Sequence, residues 1–387
     1  MEVLRVRNVN HALPLGLMLL YDNGVARESR AGNVIEYPEP VATVYSRPRE
    51  RVLFSYERNA NPFFHFMEGL WMLDGRDDVA SIASYVKRME TYSDDGKTLQ
   101  GAYGYRWRSH FSIDQLLSVI NKFQVSPEDR RVVLTMWDPI TDLGIGQRHS
   151  KDLPCNTHVY FKIRDNHLLM TVCCRSNDII WGAYGANVVH MSMLQEFVAN
   201  ALDVEVGNYT QISDSYHAYE DIYTELLEKM PPVDVYSFHI VYKNPYKSEE
   251  INASRKMVSI PHDEWLTQLN MFLQTAFNDP DNIHKWYKPY RGAVYLDSFL
   301  MYVATPIAES WALYKKYKET KTKEFLEQAI EKIGACVGDD WRILSGKTGK
   351  MWKAKYDTKE DAYLTCGMYE FENAWVMRLE YNHIENS

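Results

Sequence analysis

Residues 152–160 read DLPCNTHVY, and Cys155 within them is one of only five cysteines in 387 residues. It follows a proline where a polar loop passes into an alternating, strand-like run. A packing thiol is more at home inside an apolar run, whereas a loop-to-strand junction suits a nucleophile. Other groups could serve such a thiol. CCRSND (173–178) places Arg175, Ser176 and Asp178 at a strand end, where a guanidinium and a hydroxyl can take a phosphate. HFMEGLW (65–71) carries Glu68 inside an apolar helical pattern. An ionised carboxylate there is costly unless partnered, and a raised pKa would suit proton transfer. DRRVV (129–133) sets Arg130 and Arg131 side by side at a strand start. Adjacent strand residues face opposite ways, so one buried site in one subunit does not easily take both. Taken singly, each signal also has a structural reading: a hydrogen-bonded buried Glu, a surface arginine pair, a free cysteine filling core space.

The elements that must position these groups are legible in outline. NPFFHFMEGLWML (61–73) has helical apolar spacing, with Asn61 as N-cap and Pro62 at the first helical position. RRVVLTMW (130–137) reads as a strand, and THVYFKIRDNHLLMTVCCRS (157–176) as two strands around an RDNH turn. NVVHMSMLQEFVANAL (187–202) predicts a long buried helix, and FHIVYK (238–243) one more strand. This mixed order predicts an α+β fold. After KNPYKSEEINASRK (243–256) the pattern changes to amphipathic helices, including ENAWVMRLEY (372–381). The expected organisation is therefore a catalytic domain over 1–246 and a helical C-terminal extension over 247–387, to which no chemistry attaches.

Composition narrows the partners. With 45% hydrophobic and 25% charged residues the chain is an ordinary globular one. A net charge of −9 argues against polymeric nucleic acid, though a few arginines suffice for one phosphate. An odd cysteine count with no C-x-x-C pair suggests neither a disulfide framework nor a metal site. ALPLGLMLLY (12–21) is broken by Pro14 and Gly16 and lacks a small-x-small cleavage pattern. No apolar run reaches the roughly 20 residues of a membrane span. The expected setting is the cytoplasm, or a host's cytoplasm for a viral protein.

Together, from about Arg30 to Tyr246, the motifs resemble thymidylate synthase and its pyrimidine-nucleotide hydroxymethylase relatives. MEGLWMLDG is similar to the family's Glu-x-x-Trp-x-x-x-Gly helix, and GAYGYRWR (101–108) to its Tyr-Gly turn. Pro154-Cys155 matches the nucleophile motif, RSND (175–178) the phosphate motif and HAY (217–219) the ribose motif. Departures are specific. Asn156 stands where the family usually has His, Cys174 where it has Gln, and Met89 where a tryptophan packs near folate. WGAYGAN (181–187) is one residue longer than the family's Leu-Gly-x-Pro-Phe-Asn, and placing the extra residue before Asn187 restores the spacing onward. The family's apolar closing tail is not found; the sequence ends EYNHIENS.

The resemblance implies a mechanism and a set of roles. A thiolate adding at C6 turns a pyrimidine into an enolate that attacks a one-carbon unit from C5. Cys155 is the implied nucleophile, its pKa lowered by Arg175. Arg30, Arg175 and Ser176 would bind the 5′-phosphate of a pyrimidine nucleoside monophosphate, with Arg130 and Arg131 reaching across from a second subunit of a homodimer. Asn187 would read the base, where an amide suits uracil. His217 and Tyr219 would hold the sugar, Tyr103 would help remove the C5 proton, and Glu68 would manage protons through ordered water. Trp71 and Asp178 are implied at the folate side, Asp178 among the catalytic groups also. The co-substrate is 5,10-methylenetetrahydrofolate, with no metal. Water at the exocyclic methylene gives hydroxymethyl; hydride from folate gives methyl. Met89 and the longer base-side loop favour water, hence dUMP hydroxymethylation. A methyl-forming synthase, a dCMP or CMP hydroxymethylase, and a silent nucleotide-binding protein stay open at this point.

Overall fold

The computed structural model describes residues 1–53, 55, 58–143, 150–229, 256–288 and 296–334. The chain divides into two compact units, Met1–Leu53 with Phe64–Pro232, and Phe54–Phe63 with Val233–Ser387. The expected boundary at 246, the FHIVYK strand and the helical pattern of 372–381 lie outside the described residues.

The first unit is built on one mixed sheet. Its strands are β1 (Glu2–Val6), β2 (Val25–Ser29), β3 (Gly32–Tyr37), β4 (Val41–Tyr45), β5 (Val133–Thr135), β6 (Asn156–Arg164), β7 (His167–Asp178) and β8 (Glu205–Tyr219). The order is β1-β4-β8-β7-β6-β5, with β3 also pairing β8 and β2 pairing β3. β6 and β7 form the expected hairpin. Asp165 and Asn166 have φ of +50° and +60°, the left-handed pair that a two-residue turn matching strand twist requires. β7 runs parallel to β8, with Ser176 opposite Ser215 and Asp178 opposite His217. Antiparallel pairing sets Asn156 opposite Cys174. One end of the sheet thus gathers most of the motif residues.

Helices cover the sheet. They are α1 (Val9–Asn23), α2 (Pro62–Leu73), α3 (Tyr103–Arg108), α4 (Gln115–Val125), α5 (Asn187–Ala201) and α6 (Glu220–Lys229). α5 is buried from Asn187 to Ala199, as its largely apolar sequence predicts. α2 begins at Pro62, as expected, and buries Phe66, Met67, Leu70 and Trp71. Gly69 lets α2 approach α5: a Cβ there would meet Met193 Sδ at 2.5 Å. At Gly104 a Cβ would stand 2.1 Å from the Met72 carbonyl oxygen, so α3 can only follow α2 this closely with glycine. These two contacts set α2, which carries Glu68, against α5, and α3, which carries Tyr103, against the end of α2.

One local difference has a physical cause. The strand expected over 130–137 shrinks to Val133–Thr135. Asp129 accepts the Arg131 backbone N–H at 2.8 Å and the guanidinium Nε and Nη2 at 2.9 Å each, which takes the start of the run into a turn. ALPLGLMLLY lies within α1, with Leu13, Leu17 and Leu20 buried. No helix among the described residues is long and apolar enough to cross a membrane.

The second unit contains α7 (His262–Asn278), α8 (Thr305–Thr320) and α9 (Lys323–Gly334), in line with the amphipathic pattern. Its core includes Trp265, Leu269, Phe272, Trp286 and Ile307.

Candidate active site

Cys155 is the last loop residue before β6, and the loop is pinned from β7. Arg175 Nε donates to the Pro154 carbonyl at 3.0 Å and Nη2 to that of Leu153 at 3.2 Å. The Arg175 amide donates to the Cys155 carbonyl at 2.9 Å. Arg175 Nη2 then lies 4.0 Å from Cys155 Sγ, and the guanidinium stacks 5.6 Å from the Trp137 ring centre. Asp152 fixes the other end of the loop by accepting the Gly101 N–H at 2.8 Å. Tyr103 closes this wall, its hydroxyl accepting the Asn156 N–H at 3.3 Å.

Electrostatics at the thiol run against the simple expectation. Burial in the cleft pushes the Cys155 pKa up, although its surface is half-exposed. Arg175 opposes this, and Asp152 reinforces it. The expected lowering by Arg175 is present in sign but outweighed by desolvation. Asp152 itself is pushed up by burial first, with the Glu68 charge among the further causes. The Tyr103 hydroxyl is raised by burial and then by Cys155. Burial thus favours the neutral thiol of Cys155 and the neutral phenol of Tyr103.

Behind the thiol lies a neutral, buried floor. Asn156, 0% exposed, donates from Nδ2 to Asn187 Oδ1 at 3.2 Å. Asn187 Nδ2 donates to Asn177 Oδ1 at 3.0 Å, and Asn177 Nδ2 to Ser213 Oγ at 2.9 Å. This chain of amides fixes the Asn187 head group while leaving it one further donor and one further acceptor. Glu68, on α2, faces His190, one turn beyond Asn187 on α5; Oε2 and Nε2 are 2.8 Å apart.

The extra residue of the base-side loop has a structural home. Ile179–Ala186 form a π-helical stretch, entered through a cap in which Asp178 Oδ1 accepts the Ile180 N–H at 2.9 Å. The Asn187 N–H reaches back to the Gly182 carbonyl, an i to i−5 bond. A π-turn takes up one residue more than an α-turn, so Asn187 still begins α5.

The sugar and phosphate candidates come from β7, β8 and the β2–β3 turn. His217 is 7% exposed, with Nδ1 3.1 Å from Ser215 Oγ. The Tyr219 amide donates to Asp178 Oδ2 at 3.4 Å. The Tyr219 hydroxyl is raised mainly by burial and also feels Asp178, Cys155 and the opposing charge of Arg30. Ser176, half-buried, is next to Arg175 on β7. Cys155, Tyr103, Arg175 and Asn187 are thus joined through Asn156 and the loop backbone. Asp178, Tyr219 and Arg30 adjoin them. Arg130 and Arg131 stand exposed, Arg131 clamped on Asp129. Trp71 is 1% exposed, its indole N–H 3.3 Å from Asp78 Oδ1, within the wall rather than on its surface.

Sequence reasoning missed Asp152, Asn177, Ser213 and His190. Asn177 lies inside RSND and could have been found there. His190 sits in an apolar helix, where a histidine reads as core.

Comparisons with known proteins identify the chain's relatives. The thymidylate synthase family model matches residues 49–252. A deoxyuridylate hydroxymethyltransferase of Pseudomonas phage M6 is 42% identical over 373 residues, 95% of this chain and 99% of the relative. One of Bacillus phage SP01 is 35% identical over 266 residues, covering 65% and 67%, and one of Delftia phage PhiW-14 is 30% identical over 230 residues, covering 57% and 63%.

Proposed function

We infer that this chain, which belongs to the thymidylate synthase family, transfers a hydroxymethyl group to C5 of dUMP. The observation that carries this is the joining of the thiol loop to the base-reading amide: Cys155 is followed by Asn156, whose side chain holds Asn187. A pyrimidine lying against Asn187 brings C6 to the sulfur. The spare acceptor on Asn187 Oδ1 suits N3–H and the spare donor on Nδ2 suits O4, a uracil pattern.

Cys155 adds to C6, and the Arg175 charge stabilises the thiolate as it forms. Since the resting thiol is held protonated, a base must draw its proton when the nucleotide arrives. Bound folate supplies the one-carbon unit at the oxidation level of formaldehyde. Tyr103 then assists loss of the C5 proton, and Glu68 manages protons over the base. Arg30, Arg175 and Ser176 take the phosphate, His217 and Tyr219 the sugar, and Asp178 borders the folate side with Trp71 backing that wall. Arg130 and Arg131 complete the phosphate site of a second copy in a homodimer. Their exposure supports this, as do Val133 and Tyr160, each 45% exposed and paired on the outer edge of the sheet. Residues 1–246 would form the catalytic domain, with 247–387 as an extension, in a cytoplasmic enzyme.

Water rather than hydride as the final reactant is supported by the phage relatives, by the lengthened base-side stretch, and by Met89, half-buried in a 3-10 turn, in place of a folate-side tryptophan. The test is the mass of the product from dUMP and methylenetetrahydrofolate. A gain of CH2O with tetrahydrofolate released is expected. A gain of CH2 with dihydrofolate would place the chain with the methyl-forming synthases.

A further inference from the structure

Glu68 and His190 are close without being satisfied. Their side chains are 8% and 2% exposed and 2.8 Å apart. Yet Glu68 Oε2 and both ring nitrogens of His190 lack an aligned hydrogen-bond partner among the described residues, as does Asn156 Oδ1. Buried polar atoms are nearly always satisfied, and four unmade positions around one floor mark a place built for a polar guest with several contacts of its own. The guest space adjoins the base site, since His190 follows Asn187 by one helical turn on the same face of α5. The His65 ring lies edge-on to the imidazole at 6.5 Å.

We propose that Glu68 and His190 together hold the water that adds to the exocyclic methylene, with His190 as a positioning residue that aims Glu68 and receives the proton drawn from that water. The proposal rests on the hydroxymethyl transfer inferred above and names the residue that makes water the final reactant. The step balances. Water oxygen bonds to the methylene carbon, and the C5=CH2 electron pair moves into the enolate across C5, C4 and O4. The water proton passes through the Glu68 carboxylate to His190. The enolate then collapses, C5=C6 re-forms, and Cys155 leaves C6 as thiolate. Of the two protons that released tetrahydrofolate carries at N5 and N10, one comes from C5 and the other from the water, so the pair ends each cycle as it began.

The experiment uses a competing thiol. A small thiol added to the reaction captures the methylene as a C5–CH2–S thioether, while water gives the hydroxymethyl product. In His190→Gln, which keeps a hydrogen bond but cannot carry a proton, the thioether to hydroxymethyl ratio should rise at least about tenfold. Release of the C5 proton should fall less than formation of the hydroxymethyl product. His190→Phe, which keeps the bulk and no hydrogen bond, should move the ratio the same way. Only molecules that reached the methylene enter the ratio, so a poorly folded fraction drops out. An unchanged ratio in both variants, or an equal fall in proton release and product, would show that His190 is a core residue and overturn the proposal. If the unmodified enzyme forms only a CH2 product, the transfer reading fails instead, and this step with it.

Discussion

Two walls of the same cleft are built on opposite principles. On the thiol side, Arg175 is exposed and held by backbone carbonyls of the loop it pins. Such a guanidinium can turn toward a dianion at small cost, because the carbonyls it leaves can be taken up by water. On the floor, Asn156, Asn187, Asn177 and Ser213 form a buried relay in which turning one amide would break bonds at both its ends. The loose wall suits affinity for phosphate, which any nucleotide carries. The locked wall suits discrimination, because a donor or acceptor that cannot turn rejects the wrong base.

The most severe break in this arrangement is loss of the sulfur that both walls serve. Cys155→Ala is expected to lower kcat by at least about 10^4-fold while dUMP affinity, measured by calorimetry, stays within a few-fold. Normal turnover would remove the covalent mechanism. Next comes the floor. Asn187→Asp presents an acceptor where the amide had a donor, and the dUMP to dCMP ratio of kcat/KM should fall about 10- to 100-fold. If both nucleotides suffer equally, the floor does not read the base. The wall of Arg175 should give the smallest and least selective effect. Arg175→Gln is expected to weaken dUMP and dCMP alike by about tenfold.

A pH measurement sharpens the same contrast. The Cys155 thiol is held above its ordinary range by burial, and only the thiolate reacts with an alkylating agent. Alkylation should therefore rise with pH through an inflection above that of an exposed thiol. Removing Arg175 removes a lowering influence and should move that inflection higher still. A shift downward would mean that the guanidinium does not act on the sulfur.

What the sequence disclosed and what it concealed divide along these walls. Cys155, Arg175 and the β6–β7 hairpin were legible because a turn and a charged motif stand out against apolar runs. β8 was not, apart from its last three residues. Its Gln211 and Ser213 are buried in mid-sheet, and polar residues inside a strand erase the alternation by which strands are recognised. His190 was hidden for the converse reason: it sits in an apolar helix and gains meaning only from α2, brought close by Gly69. The direction of the Cys155 shift could not be read either, because the order of its causes depends on how deeply the loop sinks.

The π-helical stretch ahead of Asn187 carries a wider lesson about how such a pocket can change. The stretch is one residue longer than the family pattern, yet Asp178 stands opposite His217 and Asn187 still begins the helix beyond. The lining beside the base can therefore be let out a notch while the beams on either side stay where they are. Relatives that differ by a residue at this point would differ in room beside the base, and so in which small molecule arrives there first.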